Sequence, residues 1–262
     1  MQVVCLNNLS LHWQEDGDPT GHPVVFANSL GTDLRLWDQI VPLLPAGLRL
    51  IRFDKRGHGL SDCPPAPYTL DNLTHDAEGL LDHIGIQGCT FVGLSIGGMV
   101  GQLLASRRPD LIGALVLSNT AAKMGDAAMW NTRIDAIKAD GIEPLGDAIM
   151  ERWFSADFRA TDDLCLWRNM LTRTPQEGYI GCCHAIAGAD LTDISKRLSL
   201  PTMGIAGAQD GASPPDLVQG TIAMIAGAKC HTMQGVGHLP CVEDPTQYAA
   251  LLTAFLKELG HV

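Results

Sequence analysis

Apolar and polar positions along the chain fall into short β-like runs separated by longer stretches of helical spacing. Two opening apolar runs, residues 3–6 and 9–13, flank Asn7-Asn8 and predict an antiparallel hairpin at the edge of a sheet. Further runs follow at 24–27, 48–53, 89–92, 115–117, 202–206 and 229–233, with longer helical patterns between them. Strands that alternate with helices predict a mostly parallel central sheet flanked by helices, an α/β fold. Ile96, Met99, Val100, Leu103 and Leu104 keep the spacing of one helical face, as do Tyr248, Leu251, Leu252, Phe255, Leu256 and Leu259. Each of these helices is expected to pack one face on the sheet.

Over residues 122–197 the strand signal disappears, and three of the five tryptophans, Trp130, Trp153 and Trp167, lie there. A helical cap inserted after the sixth strand candidate accounts for the gap. The expected organisation is a core of residues 1–121 and 198–262 interrupted by a cap of residues 122–197. With 262 residues and 46% hydrophobic content, the chain can bury one large core.

Charge narrows the partners. The 29 acidic and 18 basic residues leave a net charge of −11, which argues against nucleic acid as a partner. The same field repels small anions, so a carboxylate substrate needs a local cation. The chain shows no basic start followed by an apolar run, and no segment reaches the roughly 18 apolar residues of a membrane span. A soluble cytoplasmic protein with no membrane partner is expected. The eight cysteines are scattered, with no C-x-x-C pair, and read as reduced, mostly buried thiols. Neither the glycine spacing of a dinucleotide site nor a His and carboxylate cluster of ligand spacing is present, so neither cofactor nor metal is expected.

The chemistry concentrates at Gly93-Leu94-Ser95-Ile96-Gly97. An apolar strand pattern runs directly into this Gly-x-Ser-x-Gly motif, and a helical pattern leaves it directly. That context forces the serine into a tight turn, where glycine relieves crowding at Gly93, Gly97 and Gly98. Ser95 is the nucleophile candidate. The helix start aims N–H groups and a positive dipole end at the reaction centre, so the Ile96 N–H is a natural oxyanion donor. The second donor is expected from the loop after the strand at 24–27, as the backbone N–H of Leu30. Losing one such donor costs about 3 kcal/mol of transition-state stabilisation.

A serine hydroxyl needs a base, and the base an orienting carboxylate; in this architecture they follow in the order Ser, Asp or Glu, His. His238 lies between the last strand candidate and the terminal helix, where a loop at the carboxyl edge of the sheet belongs. His231 lies inside a strand pattern and the other histidines lack comparable context. Asp210, which closes the run at 202–206, is the acid candidate, with Asp216 its competitor. Asp54-Lys55-Arg56-Gly57-His58-Gly59-Leu60-Ser61 holds an acid, a base and a serine, yet reads as a tight, polar structural loop beside the site.

At these residues the sequence resembles the α/β-hydrolase superfamily over essentially its whole length, and more narrowly the 3-oxoadipate enol-lactonases. The narrower resemblance rests on Asn28-Ser29-Leu30-Gly31-Thr32-Asp33-Leu34 followed by Trp37, and on Asp54-x-Arg56-Gly57-His58-Gly59-x-Ser61. It rests also on Gly93-Leu94-Ser95-Ile96-Gly97-Gly98, Ser118-Asn119-Thr120-Ala121-Ala122 and Arg152-Trp153-Phe154. The resemblance implies hydrolysis of a five-membered enol-lactone to 3-oxoadipate, late in bacterial breakdown of protocatechuate or catechol. That small-molecule lactone carries a free carboxylate. Arg133, one helical turn beyond Trp130, is either its clamp or a solvated helix-face arginine. Lys123 is a second cation candidate, and Trp130 and Trp153 either wall the pocket or fill the cap interior. A carboxylesterase or carbon–carbon bond hydrolase of the same fold, and a non-catalytic binding protein, remain alternatives.

Overall fold

All eight expected strands form in the computed structural model, which describes residues 1–6 and 8–262. They are β1 (Gln2–Leu6), β2 (Leu9–Gly17), β3 (His22–Ala27), β4 (Leu48–Phe53), β5 (Cys89–Leu94), β6 (Ile112–Ser118), β7 (Thr202–Gly207) and β8 (Lys229–Met233). One sheet contains them in the order β1-β2-β4-β3-β5-β6-β7-β8. β1 and β2 pair antiparallel, as do β2 and β4; the pairings from β4 through β8 are parallel. The hairpin closes at Leu6 opposite Leu9, with Asn8 at φ 64°. Asn7, the other half of the expected turn, lies outside the described residues. β5 and β7 are buried along their whole length, which is why their sequences run apolar without alternation.

The helices are α1 (Leu70–His83), α2 (Ile96–Arg107), α3 (Ala127–Asp140), α4 (Gly146–Trp153), α5 (Ala156–Arg159), α6 (Leu164–Thr172), α7 (Gln176–Ala187), α8 (Thr192–Ser195), α9 (Pro215–Ile222), α10 (Pro240–Glu243) and α11 (Pro245–Glu258). Six of them, α3 to α8, fill the interval between β6 and β7. α11 opens on an Asp244 cap and buries Tyr248, Ala249, Leu252, Phe255 and Leu256, the one-sided packing expected.

α2 departs from expectation. Each residue from Ile96 to Ala105 is buried, because the helix packs on β3, β5 and β6 and is covered from other sides by α1 and α8. The apolar face visible in the sequence is only part of what the helix buries. Gly97 makes that depth possible: a Cβ there would sit 2.2 Å from the carbonyl oxygen of Ala27 on β3.

The cysteines also correct the sequence reading. All eight are unpaired, but only Cys89, Cys182, Cys183 and Cys241 are buried, while Cys5, Cys63 and Cys165 are exposed. Burial pushes the Cys89 and Cys182 thiols up to about 12, leaving them protonated and unreactive. Among the described residues no helix is long and apolar enough to cross a membrane.

Candidate active site

β5 ends at Leu94 and α2 begins at Ile96, so Ser95 alone makes the turn between them. It does so at φ 57°, ψ −120°, a left-handed conformation that ordinary side chains avoid. Ser95 N donates to Ser118 O at 3.0 Å, tying the turn to the end of β6. A Cβ on Gly93 would meet the Gly97 carbonyl oxygen at 2.4 Å, so the motif glycines are required by backbone approaching backbone. Gly93→Ala is expected to cost about 2–3 kcal/mol and lower Tm by about 4–12 °C in a thermal melt. An unchanged Tm would show that the turn relaxes freely.

The loops after β7 and β8 bring the acid and base together. His238 Nδ1 lies 2.8 Å from Asp210 Oδ2, and both side chains are almost wholly buried. Asn119 Nδ2 donates to the same carboxylate oxygen at 2.8 Å, and Ser213 Oγ lies 2.7 Å from it. The other oxygen accepts Ala212 N at 2.6 Å and Ser213 N at 2.9 Å. Burial pushes the Asp210 carboxyl up, but the His238 ring, the Asn119 amide and the Ser213 N–H outweigh it and hold it below the usual carboxylate range. An ionised Asp210 fixes the proton of His238 on Nδ1 and leaves a lone pair on Nε2. Asn119 sits at φ 47°, so two of the three left-handed non-glycine residues among those described, Ser95 and Asn119, fall at this site.

His238 Nε2 lies within hydrogen-bond distance of Ser29 Oγ, at 3.4 Å, while Ser95 Oγ makes no hydrogen bond among the described residues. The resting site is loose at the serine and tight at the acid, as unliganded sites often are. Ser95, Asp210 and His238 are each at most 5% exposed, so the three side chains are largely shielded from bulk water.

The loop after β3 runs beside the serine, and three of its N–H groups have partners. Gly31 N donates to His58 Nε2 at 3.0 Å, Thr32 N to Ser29 O at 3.3 Å and Leu34 N to Asp54 Oδ1 at 2.7 Å. The N–H groups of Leu30 and Ile96, the two expected oxyanion donors, have no acceptor among the described residues. Lys55 Nζ donates to Ser29 O at 2.6 Å and Thr32 O at 2.9 Å, and Asn28 Nδ2 to Phe53 O at 2.8 Å. The polar loop 54–61 thus holds the oxyanion loop by both edges.

α4 and the residues after it close the site from the other side. Arg152 O accepts Gly211 N at 3.0 Å and Trp153 O accepts His238 N at 2.6 Å, so successive carbonyls hold the acid loop and the base loop. Glu243 reinforces this, accepting Gly237 N at 2.6 Å on one oxygen and Ser155 N at 3.0 Å on the other. The Trp153 ring stands 6.4 Å from the His238 ring, and Trp153, Tyr179 and Leu171 crowd Gly31. Trp130 is set back: its indole N–H donates to Met124 O at 2.6 Å and Arg133 lies 4.9 Å over its ring.

Two arginines act on one another's charge here. Arg152 Nε donates to Gly211 O at 3.1 Å, beside Asp210, and burial together with the charge of Arg133 pulls its pKa down. Both guanidiniums act on the buried phenol of Tyr179. Neither arginine pairs with a carboxylate among the described residues, and both are half-buried. Lys123, by contrast, is exposed and paired with Asp190 at 3.0 Å, which removes it as a candidate for the site. Asp216 is exposed in the first turn of α9 and His231 is exposed on β8, so neither competes with Asp210 or His238. Asn119, Ser213, Ser29 and Arg152 were not singled out by sequence. Ser29, Asn119 and Arg152 left a trace, inside stretches quoted for the family resemblance, and Ser213 left none. An open cleft of about 700 Å³ between α6 and residues 32–39 contains none of Ser95, Asp210 and His238.

A mostly parallel sheet with a serine at the β5–α2 turn, and a histidine three strands away oriented by a carboxylate from the strand between, defines a class. Residues 24–251 match the model of the alpha/beta hydrolase family, and the chain belongs to that family. Among its relatives is 3-oxoadipate enol-lactonase 2 of Acinetobacter baylyi, 32% identical over 97% of this chain and 95% of the relative. The solved enol-lactonase of Burkholderia xenovorans superposes with a TM-score of 0.94 at 35% identity, covering 98% of this chain and all of that one. A solved hydrolase from Pseudomonas aeruginosa gives 0.93 at 36% identity, covering 97% of each chain.

Proposed function

We propose that this chain is a serine hydrolase that opens a carboxylate-bearing enol-lactone to 3-oxoadipate, the substrate named for its relatives in Acinetobacter baylyi. Ser95 attacks the lactone carbonyl and His238 takes its proton, with Asp210 stabilising the imidazolium that forms. The N–H groups of Leu30 and Ile96 hold the oxyanion. Ring opening expels an enol, which tautomerises to a ketone and no longer offers the hydroxyl needed to reclose the ring. Water, activated by His238, then hydrolyses the acyl-enzyme. Residues 122–197 serve as the cap over this chemistry, residues 1–121 and 198–262 as the core. The cytoplasm, where thiols stay reduced, suits eight unpaired cysteines.

The observation that carries the substrate reading is the pair of half-buried, unpaired guanidiniums, Arg133 and Arg152, in a protein of net charge −11. Two cations held close without a carboxylate repel each other, and an anionic ligand relieves the repulsion. Trp153 and Tyr179 supply the apolar walls between them and the oxyanion loop. Arg133→Ala is therefore expected to raise KM for the lactone about 10- to 100-fold, the worth of one charge-assisted hydrogen-bonding partner, with a smaller change in kcat. Turnover of a neutral aryl ester should be unaffected. Steady-state kinetics on both substrates checks this: an unchanged lactone KM removes Arg133 from the site, and faster ester than lactone cleavage by the wild type overturns the lactonase reading.

A further inference from the structure

The two N–H groups assigned to the oxyanion have a feature in common that the proposed reaction does not use. Leu30 N–H belongs to the same peptide unit as Ser29 C=O, and Ile96 N–H to the same unit as Ser95 C=O. Each of those carbonyls is gripped by a buried side chain from elsewhere. Lys55 Nζ donates to Ser29 O at 2.6 Å, and Thr120 Oγ1 donates to Ser95 O at 2.6 Å. A trans peptide points its C=O and N–H in opposite directions, so a donor on the oxygen fixes where the N–H aims. It also draws electron density from the amide, making the N–H a stronger donor.

We propose that Lys55 is a positioning residue for catalysis, its ammonium orienting and polarising the Ser29–Leu30 peptide so that the Leu30 N–H is a preorganised, charge-strengthened oxyanion donor. Thr120 is its uncharged counterpart on the Ser95–Ile96 peptide. This inference rests on the assignment of Ser95, Leu30 and Ile96 above.

Three observations favour it over a merely structural cation. First, Lys55 is 8% exposed and forms no ion pair with a carboxylate among the described residues; it places its donors on the carbonyls of Ser29 and Thr32. A buried charge without an ion-pair partner is costly, and a neutral donor could brace a loop without that cost. Second, the N–H groups of Gly31, Thr32 and Leu34 are taken, by His58, Ser29 O and Asp54, whereas the Leu30 N–H has no acceptor among the described residues. Third, burial lowers the Lys55 pKa to about 8, against the pull of the Asp54 and Asp33 carboxylates, so the ammonium form is retained at neutral pH. The stretch 54–61, which reads in the sequence as a structural loop beside the site, acts on the reaction through this one peptide.

The test compares Lys55→Met with Lys55→Gln, which keeps an N–H donor without the charge. Lys55→Met is expected to lower kcat about 30-fold with KM within about twofold, less than the hundredfold or more that follows outright loss of an oxyanion donor. Affinity for an alkyl boronic acid, which mimics the tetrahedral adduct on serine, should fall by the same factor, while affinity for a saturated dicarboxylate should hold. The infrared stretch of the acyl-enzyme carbonyl should move to higher frequency, with Lys55→Gln between wild type and Lys55→Met. A folded Lys55→Met with wild-type kcat and an unmoved carbonyl stretch overturns the proposal. So does failure of both variants to fold, which would make the ammonium a structural support. Wild-type protein that forms no boronate adduct at all would instead point to failure of the Ser95 assignment.

Discussion

Ser95→Ala is expected to lower kcat about a million-fold while substrate binding stays largely intact, the pattern seen when a member of a serine triad is deleted. The size follows from what remains: without the hydroxyl, His238 has no nucleophile to activate, and only the oxyanion donors and binding contacts act on water. The cavity left is a single oxygen in a turn whose hydrogen bond to Ser118 is made by the backbone, so the fold should persist. Single-turnover kinetics on the lactone measures the loss. A residual rate within about tenfold of wild type would remove Ser95 as the nucleophile. Ser29, whose hydroxyl is the one within reach of His238 Nε2 in the resting site, would then be the residue to examine. Mapping the residue labelled by a fluorophosphonate separates the two serines directly.

Asp210→Asn is expected to lower kcat about 10⁴-fold, because an amide in that position favours the wrong tautomer of His238. The surroundings sharpen this. Asp210 accepts from the His238 ring, the Asn119 amide and the N–H groups of Ala212 and Ser213, an arrangement that suits a carboxylate with two accepting oxygens. An amide presents two N–H donors to partners that are themselves donors, so the variant should also lose stability. The pH dependence has a definite sign. Because the folded carboxyl is held below its ordinary value, its contribution to stability is present at neutral pH and is lost as pH falls through the folded value. Asp210→Asn should therefore flatten the acid limb of a plot of Tm against pH. An equally steep limb in both proteins would show that other carboxylates set it.

The strands were legible because each is a local property: a short apolar run bounded by turn residues reads the same in the sequence and in the sheet. The places of Ser95, His238 and Asp210 in the fold were legible for a related reason, since each closes or follows a strand run at the carboxyl edge. What could not be read depends on contacts between distant segments. Asn119 and Ser213 look like ordinary loop residues until β6 and β7 lie side by side and their polar groups converge on one carboxylate. Arg152 has the same composition signal as the other arginines, and only the fold reveals that it has no ion-pair partner among the described residues and feels the charge of Arg133. Lys123 is the converse, a plausible cation that the chain had already paired with Asp190. The periodicity of α2 identified one buried face and understated the rest, because the glycines that admit close neighbours carry no hydrophobic signal.

The carbonyls of Arg152 and Trp153 have a consequence for how such a site changes over generations. They secure the acid and base loops through the main chain, the base loop independently of the side chain at 153 and the acid loop with added help from Arg152 Nε on Gly211 O. Mutation can then reshape the walls of the pocket while the proton-handling apparatus keeps its alignment. Substrate range and catalytic competence become separately heritable traits at Trp153, and a lineage can explore new acyl groups there without passing through inactive ancestors.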